Sequence, residues 1–374
     1  MPDLSFARPA LSRLLLLGSP DPVVREAAAR QTALALADPA FLHLLREHRV
    51  SPLVYHHLSA HSRQVVGEVP HLAALRTDFS RSLQTVRRQE LETADLLRRL
   101  ADAGVECVLL KGADLRHRLY PEPATRPMGD LDLLIPPAQL APARRVMAEL
   151  GYTPFQWTPE LAPGYLERFD HELGLDPPPD RELVVDLHWE IREVGFLYSL
   201  PYDDLRPSCL GPVRGGVPVL VLSPEHLLIH LCLHTYDEIN TTGLLKLLDL
   251  ALAAASPELD WRRFLEEVAR LGVGGGVFIM LREMAPLLPQ GLPPEVGAAI
   301  AAYRPRRLEA LALRPGVLGQ AAGQAAFLLG HLHPRDWPRY LGPRLWPHRD
   351  YLTANLGRPD RLAYFRRFLK NLLS

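Results

Sequence analysis

Two aspartates stand one residue apart inside an otherwise apolar run, RPMGDLDLLI at residues 126–135. The leucines and isoleucine around Asp130 and Asp132 indicate a buried β-strand, in which alternate side chains point to the same face. Two ionised carboxylates on one face of an apolar strand need a positive charge or strong hydrogen-bond donors beside them. The pair therefore predicts a cation-binding site at the end of a strand.

A third carboxylate lies in a second alternating run, ELVVDLHWEI, where Asp186 shares its face with Val184 and His188. If the two strands are adjacent, Asp130, Asp132 and Asp186 converge. Three converging carboxylates predict a catalytic site that holds a pair of Mg²⁺ or Mn²⁺ ions about 3.5–4 Å apart, the arrangement used for in-line displacement at phosphorus.

A candidate phosphate site precedes the first acidic strand. LLKGADL places Lys111 and Gly112 between an apolar run, predicted to be a strand over 105–110, and the start of a helix. Free backbone N–H groups and the helix dipole favour anions at such a junction. We expect Lys111 and Gly112 to hold the phosphates of a nucleoside triphosphate (NTP), with Arg126 as a bidentate donor to them. His188 fits either a phosphate contact or a structural contact to a carboxylate.

The hydrophobic pattern divides the chain into three regions. Residues 1–103 show helical spacing, whereas residues 104–222 alternate short apolar strands with helices, as a mixed sheet would. Residues 223–374 are helical again and begin with Ser223 as an N-cap. The sequence predicts an α+β fold, with a small mixed-sheet core flanked by N-terminal and C-terminal all-helical regions.

Composition excludes several classes of protein. Lys and Arg total 42 against 43 Asp and Glu, so a net charge of −1 gives no global attraction to nucleic acid or membrane. The three widely spaced cysteines fit reduced core thiols. The longest apolar block near the amino end, residues 14–17, is too short for a signal segment or a spanning helix. We expect a cytoplasmic protein without a membrane span; its oligomeric state is not indicated.

The carboxyl-terminal segment differs in charge from the rest of the chain. Residues 303–374 carry 13 Lys and Arg against 4 Asp and Glu, with aromatic residues interleaved. That composition fits an RNA-binding groove, but the favoured interpretation is a solvated face with arginines along an apolar stripe, because no run of like charge occurs. The closing amphipathic helix, RLAYFRRFLKNLL, fits docking on the protein's own body better than a membrane surface.

Three histidines, His226, His230 and His234, repeat every four residues and so lie on one side of a helix. Zinc is the weaker interpretation, because no cysteine or acidic cluster with ligand spacing lies beside them. We expect His234 to border a nucleotide cleft. We also expect Asp249, on an apolar helix, to be paired with Lys246 or His234, because a buried carboxylate needs a partner.

These motifs together resemble a known family. The phrases LLKGADLRHRLYPEPATRPMGDLDLLI and VVDLHWEI are similar to the bacterial family of uncharacterised nucleotidyltransferases, within the polymerase-β-like nucleotidyltransferase superfamily. The resemblance implies a nucleotidyltransferase core in which Asp130, Asp132 and Asp186 hold the metal ions while a nucleotidyl group is transferred from an NTP. It extends to His171, His234 and Asp249, which fall where that family has two histidines and a helix aspartate.

Two functions are compatible with the sequence. The first is Mg²⁺-dependent transfer of a nucleotidyl group from an NTP to an unidentified acceptor, a small molecule or protein, with RNA less favoured. The alternative is a catalytically degenerate module that binds a nucleotide or a protein partner. It is suggested by Lys111-Gly112-Ala113, where the superfamily usually has Gly-Ser after the first strand.

Overall fold

The computed structural model describes residues 8–61, 68–155, 161–162, 164–214, 216–238, 243–288, 290–314 and 317–373. Within these ranges the fold is α+β, as the sequence predicts. The helices are α1 (Arg8–Leu17), α2 (Pro22–Ala35), α3 (Pro39–Glu47), α4 (Ser51–Ser59), α5 (Leu72–Asp102), α6 (Lys111–Arg118), α7 (Leu140–Glu149), α8 (Tyr165–Phe169), α9 (Tyr202–Leu205), α10 (Pro224–Asp237), α11 (Leu244–Ala254), α12 (Trp261–Leu271), α13 (Gly274–Met284), α14 (Pro294–Ala302), α15 (Arg307–Ala312), α16 (Val317–His331), α17 (Trp337–Leu345), α18 (Arg349–Leu356) and α19 (Arg361–Leu373). The strands are β1 (Val108–Leu109), β2 (Asp130–Leu134), β3 (Thr153–Pro154), β4 (Glu172–Asp176), β5 (Val184–His188), β6 (Glu190–Glu193), β7 (Tyr198–Pro201), β8 (Val213–Arg214), β9 (Val217–Pro218) and β10 (Leu220–Val221).

The chain forms two compact units, each built from three separate segments. The first unit contains Met1–Asp95, Leu109–Gly129 and Ser208–Tyr303, and the second contains Leu96–Val108, Asp130–Pro207 and Arg304–Ser374. Helix α5 and strand β1 each begin in one unit and end in the other. The division into three consecutive regions stays a prediction.

The first unit is mainly helical. Helix α1 packs against α2 and α11, and α10 packs against α11, α12 and α13. Helix α10 begins where the sequence predicts, because the Ser223 hydroxyl accepts the backbone N–H of His226 and Pro224 occupies the first turn. Aspartates cap α2 and α12 in the same way, through Asp21 and Asp260.

The second unit contains a mixed sheet. Strand β2 pairs with β5 in parallel, β5 pairs with β4 antiparallel, and β4 pairs with β3 antiparallel. Two alternating runs of the sequence, HELGL and ELVVDLHWEI, thus form an antiparallel hairpin of β4 and β5. Beyond His188 the chain enters a separate two-stranded ribbon, formed by β6 and β7.

The strand predicted over residues 105–110 is much shorter than expected. Only Val108 and Leu109 are extended as a strand. The Val105 N–H donates to the Leu100 carbonyl and closes the end of α5, while the Glu106 N–H donates to the side chain of Gln139. Backbone donors that are already satisfied by a helix end and a side chain do not join a sheet ladder.

Aromatic residues of the carboxyl-terminal segment pack inside the second unit. Phe327 and Tyr340, each 1% exposed, form a core cluster with Tyr165 and Phe169 of α8. The Trp337 indole N–H donates to the Leu328 carbonyl. These rings of the carboxyl-terminal segment are therefore part of the core of the second unit.

Arginines lie against aromatic rings on the same segment. Arg344 lies 4.2 Å from the ring centre of Tyr340, and Arg361 lies 4.7 Å from that of Trp346, which is 66% exposed. Cation–π contacts of this kind stabilise a surface without a nucleic-acid partner.

Within the described residues, no helix has the length and apolar character needed to cross a membrane.

Candidate active site

The register of two parallel strands brings the predicted acids together. Asp132 of β2 lies directly beside Asp186 of β5, and Asp130 lies beside Val184. Neighbouring residues in register point to the same face of a sheet. The adjacency of the two strands, which the sequence left open, is confirmed, and Asp130, Asp132 and Asp186 share one face of the second unit.

Burial and neighbouring carboxylates raise the pKa of Asp186. The pKa of Asp186 rises to about 6, first because of burial and then because of the charge of Asp132, while His188 opposes the shift. Asp130 and Glu172 raise the pKa further. Desolvation and like charges both disfavour an ionised carboxylate.

A glycine and an aromatic ring contribute to the burial of Asp186. Gly174 of β4 is its antiparallel partner, and a Cβ atom on Gly174 would lie 2.1 Å from the ring of Phe155. The ring therefore occupies the place where a side chain on β4 would stand beside Asp186. Gly174 is required by this close approach, because any larger residue would displace the ring.

His188 contacts carboxylates on two strands. Its Nε2 lies 3.1 Å from Oδ1 of Asp132, and its Nδ1 lies 3.3 Å from Oε2 of Glu172. Of the two interpretations left open by the sequence, the structural contact to a carboxylate is the one found. Asp132, which is only 3% exposed, gains in His188 the partner that a buried carboxylate needs.

Glu172 is a site residue that the sequence reasoning missed. It stands opposite His188 in the β4–β5 register, with half of its side chain exposed. A signal was available, because alternation in HELGL places Glu172 and Gly174 on one face of a strand that pairs with the strand of Asp186.

The acids have the donor chemistry for a divalent cation but are not arranged as a closed cage. Carboxylate oxygens are the ligands that Mg²⁺ and Mn²⁺ prefer, and such ions usually keep several waters and take only one or two carboxylates each. In the part of the chain that the structure describes, no three His, Cys, Asp or Glu side chains are placed to hold one ion together. Asp130, Asp132 and Asp186 have the donor chemistry of such a site, and their binding of a metal ion stays a prediction.

The predicted phosphate-binding residues lie in the first unit. Helix α6 begins at Lys111, as expected of a strand-to-helix junction, and Lys111 has a backbone φ of 40°. This left-handed conformation is unfavourable for a residue with a side chain, and such strain is concentrated at functional sites.

Gly112 leaves room for the side chain of Arg126, the arginine that the sequence analysis assigned to the same phosphates. A Cβ atom on Gly112 would lie 2.4 Å from Nη1 of Arg126 and 2.9 Å from Cβ of Met128. The Arg126 side chain thus passes over α6 at Gly112, where the helix carries no side chain. The first turn of α6 and the loop before β2 are packed together through this contact.

Arg126 binds a carboxylate of the protein itself. Its Nη2 lies 2.7 Å from Oδ2 of Asp249 and its Nε 3.3 Å from Oδ1, a bidentate pair. The Tyr120 hydroxyl donates to the same carboxylate at 2.6 Å. Burial raises the pKa of Tyr120 well above its usual value, and the charge of Asp249 adds to this. Arg126, Tyr120 and Asp249 form a buried network that joins positions over a hundred residues apart.

The partners expected for Asp249 were wrong. Asp249 is bound by Arg126 and Tyr120, whereas Lys246 and His234 both contact Glu238. Lys246 stands three positions before Asp249 on α11, but its ammonium contacts Glu238, and the planar fork of Arg126 binds both oxygens of Asp249.

The histidine stripe on α10 does not form a metal site. His226 contacts the Ser208 hydroxyl at 2.9 Å and the Glu267 carboxylate at 2.8 Å. His230 is buried, and His234 lies 3.4 Å from Glu238. His226 and His234 thus contact different acidic residues, Glu267 and Glu238.

Comparison with known proteins identifies the family. Residues 36–289 match the family described as "Uncharacterised nucleotidyltransferase". The chain belongs to this nucleotidyltransferase family. The wider superfamily assignment stays a prediction. No curated protein sequence matches the chain.

Solved structures with some likeness to this nucleotidyltransferase family member include a crystal structure of ANT(2″)-Ia in complex with adenylyl-2″-tobramycin. Its identity is 16%, with 50% of this chain and 97% of that chain covered and a TM-score of 0.36. A solution structure of the antibiotic-resistance factor ANT(2″)-Ia has 17% identity, coverages of 49% and 93%, and a TM-score of 0.35. An antigenic nucleotidyltransferase-like protein from Paracoccidioides brasiliensis has 15% identity, coverages of 60% and 96%, and a TM-score of 0.27.

Replacement of Asp186 by Asn is expected to stabilise the metal-free protein at neutral pH. Because the pKa of Asp186 is higher in the folded state, about 6, than in the unfolded state, about 4, its protonated form stabilises the folded protein. This stabilisation is complete below about pH 4 and is lost as the pH rises through about 6. Because Asp186 is partly exposed, we expect a gain of only about 1 kcal/mol for Asp186→Asn near pH 7.5, vanishing near pH 4.

Urea unfolding in EDTA at the two pH values measures this difference. Asp180→Asn, which removes the same charge from the exposed β4–β5 loop, is the control and should change little at either pH. Equal effects of the two substitutions at neutral pH would contradict crowding at Asp186.

Replacement of Asp249 by Asn is expected to lower the free energy of unfolding by about 3–5 kcal/mol, because it leaves the Arg126 charge buried without its counter-ion. The matched control is Glu266→Gln, which breaks the exposed ion pair with Arg262 in the same unit and should cost under about 1 kcal/mol. Chemical denaturation compares the two, and similar small losses would show that the Arg126 pair is dispensable.

Proposed function

We propose that this protein is a Mg²⁺-dependent nucleotidyltransferase that moves a nucleotidyl group from an NTP to a hydroxyl of an acceptor. The observation that carries the proposal is the in-register pairing of Asp132 with Asp186 on one face, with Asp130 two residues away. Membership of a nucleotidyltransferase family supports the reaction class.

The three carboxylates are assigned separate tasks. Asp130 and Asp132 would hold Mg²⁺, or Mn²⁺ in its place, and Asp186 would share in that coordination. The bound ions would supply charge neutralisation at the triphosphate and orient it for in-line displacement. Asp186 would also accept the proton of the attacking hydroxyl as a general base.

His188 and Glu172 would set the shape of this face. The contact from His188 to Asp132 fixes the orientation of that carboxylate, and Glu172 holds the other ring nitrogen. A histidine held at both nitrogens is a rigid support, which orients a ligating carboxylate in the way that neighbouring hydrogen bonds do at metal sites. His188 thus acts on the ligand Asp132 and not on the nucleotide.

Lys111 is assigned to the triphosphate. It stands at the first turn of α6 in a strained conformation, and it is one of three lysines in a chain otherwise rich in arginine. A compact ammonium suits phosphate oxygens as a point charge. Catalysis would then come from positioning and charge neutralisation, since nucleotidyl transfer needs little covalent work from the protein.

Binding of an NTP together with Mg²⁺ should stabilise the protein by about 2.7 kcal/mol when the ligand is at about 100 times its dissociation constant. Thermal unfolding with each of the four NTPs, with and without Mg²⁺, measures the effect. The gain is expected to disappear in the Asp130→Asn/Asp132→Asn double variant and to persist in Asp180→Asn. An unchanged melting temperature for wild type with all four NTPs and Mg²⁺ would count decisively against the proposal.

A non-catalytic nucleotide-binding role is the second candidate. It is favoured by Gly112, whose missing side chain makes room for Arg126, and by Ala113 in the place of a serine hydroxyl. Incubation with radiolabelled NTP and cell extract separates the two functions. Transfer of label to an acceptor by wild type, reduced at least about a hundredfold in the double variant, is the outcome expected of the enzyme. Nucleotide binding without transfer would identify the degenerate module.

A further inference from the structure

A deeply buried arginine on α6 has almost no partner. Arg116 is 2% exposed, and it is one of the largest fully buried side chains of the protein. Its Nη2 donates to Oε1 of Gln89 at 3.0 Å, while its Nε has no hydrogen-bond partner among the described residues. A guanidinium carries five N–H donors, and a buried one normally meets a carboxylate or several acceptors.

A second buried arginine disfavours the charge of Arg116. Arg126 is a second buried guanidinium of the same unit, and the carboxylate of Asp249 is already bound by Arg126 and Tyr120. Burial, followed by the charge of Arg126, lowers the pKa of Arg116 to about 10. The charge of Glu90 raises the pKa of Arg116, but this contribution is the smallest of the three, and the Glu90 side chain is itself partly exposed. Arg126 thus has a buried carboxylate as its counter-ion, whereas the hydrogen bond found for Arg116 is to a neutral amide.

Gln89 holds the unpaired guanidinium in a defined orientation. Its Oε1 accepts from Arg116, and its Nε2 donates to the Met128 carbonyl at 3.3 Å. Both ends of the Gln89 amide are thus used, and Gln89 is itself 6% exposed. A buried cation that is oriented by a neutral amide, and not neutralised by an acid, is arranged for a ligand that brings the negative charge.

We infer that Arg116, oriented by Gln89, is the centre of an anion-binding site in the first unit, and that its ligand is a phosphate-type oxyanion. The planar fork of an arginine matches the spacing of two phosphate oxygens. The assignment rests on the proposed function in one respect: the phosphate belongs either to the NTP or to a phosphorylated acceptor.

Titration calorimetry with inorganic pyrophosphate in metal-free buffer tests the site without the carboxylates of the second unit. Wild type should bind, and the dissociation constant should rise at least about tenfold in Arg116→Met, since a charge-assisted hydrogen bond is lost. The matched control is Arg87→Met, which removes an exposed arginine from α5 two residues before Gln89 and should change the constant less than about twofold.

A second variant keeps the test valid if Arg116→Met does not fold. Arg116→Lys retains the charge but not the fork, and it should weaken pyrophosphate binding by at least about fivefold. Absence of pyrophosphate binding to wild type, or wild-type affinity in the Arg116 variants, would overturn the inference. Because no metal is present, failure here is distinguishable from failure of Mg²⁺-dependent NTP binding.

The source of the phosphate is found by repeating the titration with saturating Mg²⁺ and a non-hydrolysable NTP. If the bound nucleotide abolishes pyrophosphate binding, the site takes the triphosphate of the NTP. If pyrophosphate still binds with an affinity that depends on Arg116, the site takes a phosphate carried by the acceptor. Both outcomes support the anion site, and each names a different ligand.

Discussion

The constraint on which the rest of this structure depends is the crowding of carboxylates on two parallel strands. Asp132 and Asp186 stand in register, where neither can move away without disturbing a strand that is buried on its other face. Repulsion and desolvation then act together on Asp186, and the pKa shift shows how poorly the protein alone compensates them. This unfavourable charge balance is what the metal binding proposed for the site would relieve.

The groups around the acids limit this repulsion without removing it. His188 gives Asp132 a hydrogen-bond partner, and Glu172 holds the far side of the same ring. The ring of Phe155 lies against Gly174, the residue of β4 in register with Asp186. The protein thus combines one satisfied carboxylate with one destabilised carboxylate, a difference suited to separate roles in ligand binding and proton transfer.

Arginines in the first unit show the same contrast between satisfied and unsatisfied charge. Arg126 is neutralised by Asp249 and fits over Gly112, so it is a structural element that joins α6, the loop before β2 and α11. Arg116 is buried to a similar extent, but its Nε has no hydrogen-bond partner among the described residues. Buried ion pairs contribute little net stability compared with apolar packing, and an unpaired buried charge is unfavourable, so its retention is best explained by a ligand.

Local sequence determined the parts of this protein that depend on local chemistry. The strand of Asp130 and Asp132, the hairpin that carries Asp186, the cap at Ser223 and the helix after Lys111 were all predictable, because side-chain alternation and helix capping are short-range effects. The strand over 105–110 was overestimated, since hydrogen bonds to a helix end and to a distant glutamine remove its first residues from the sheet.

Tertiary structure alone decided which distant groups meet. The sequence showed that three acids would converge if two strands were adjacent, but only the fold made β2 and β5 neighbours and placed Glu172 across from His188. The fold also pairs Arg126 with Asp249 and places Arg116 beside the neutral amide of Gln89. Pairing between side chains a hundred residues apart depends on packing and not on any local sequence pattern. The sequence alone showed the chemistry of each residue. The tertiary structure decided its partner, since charge compensation depends on distance through space.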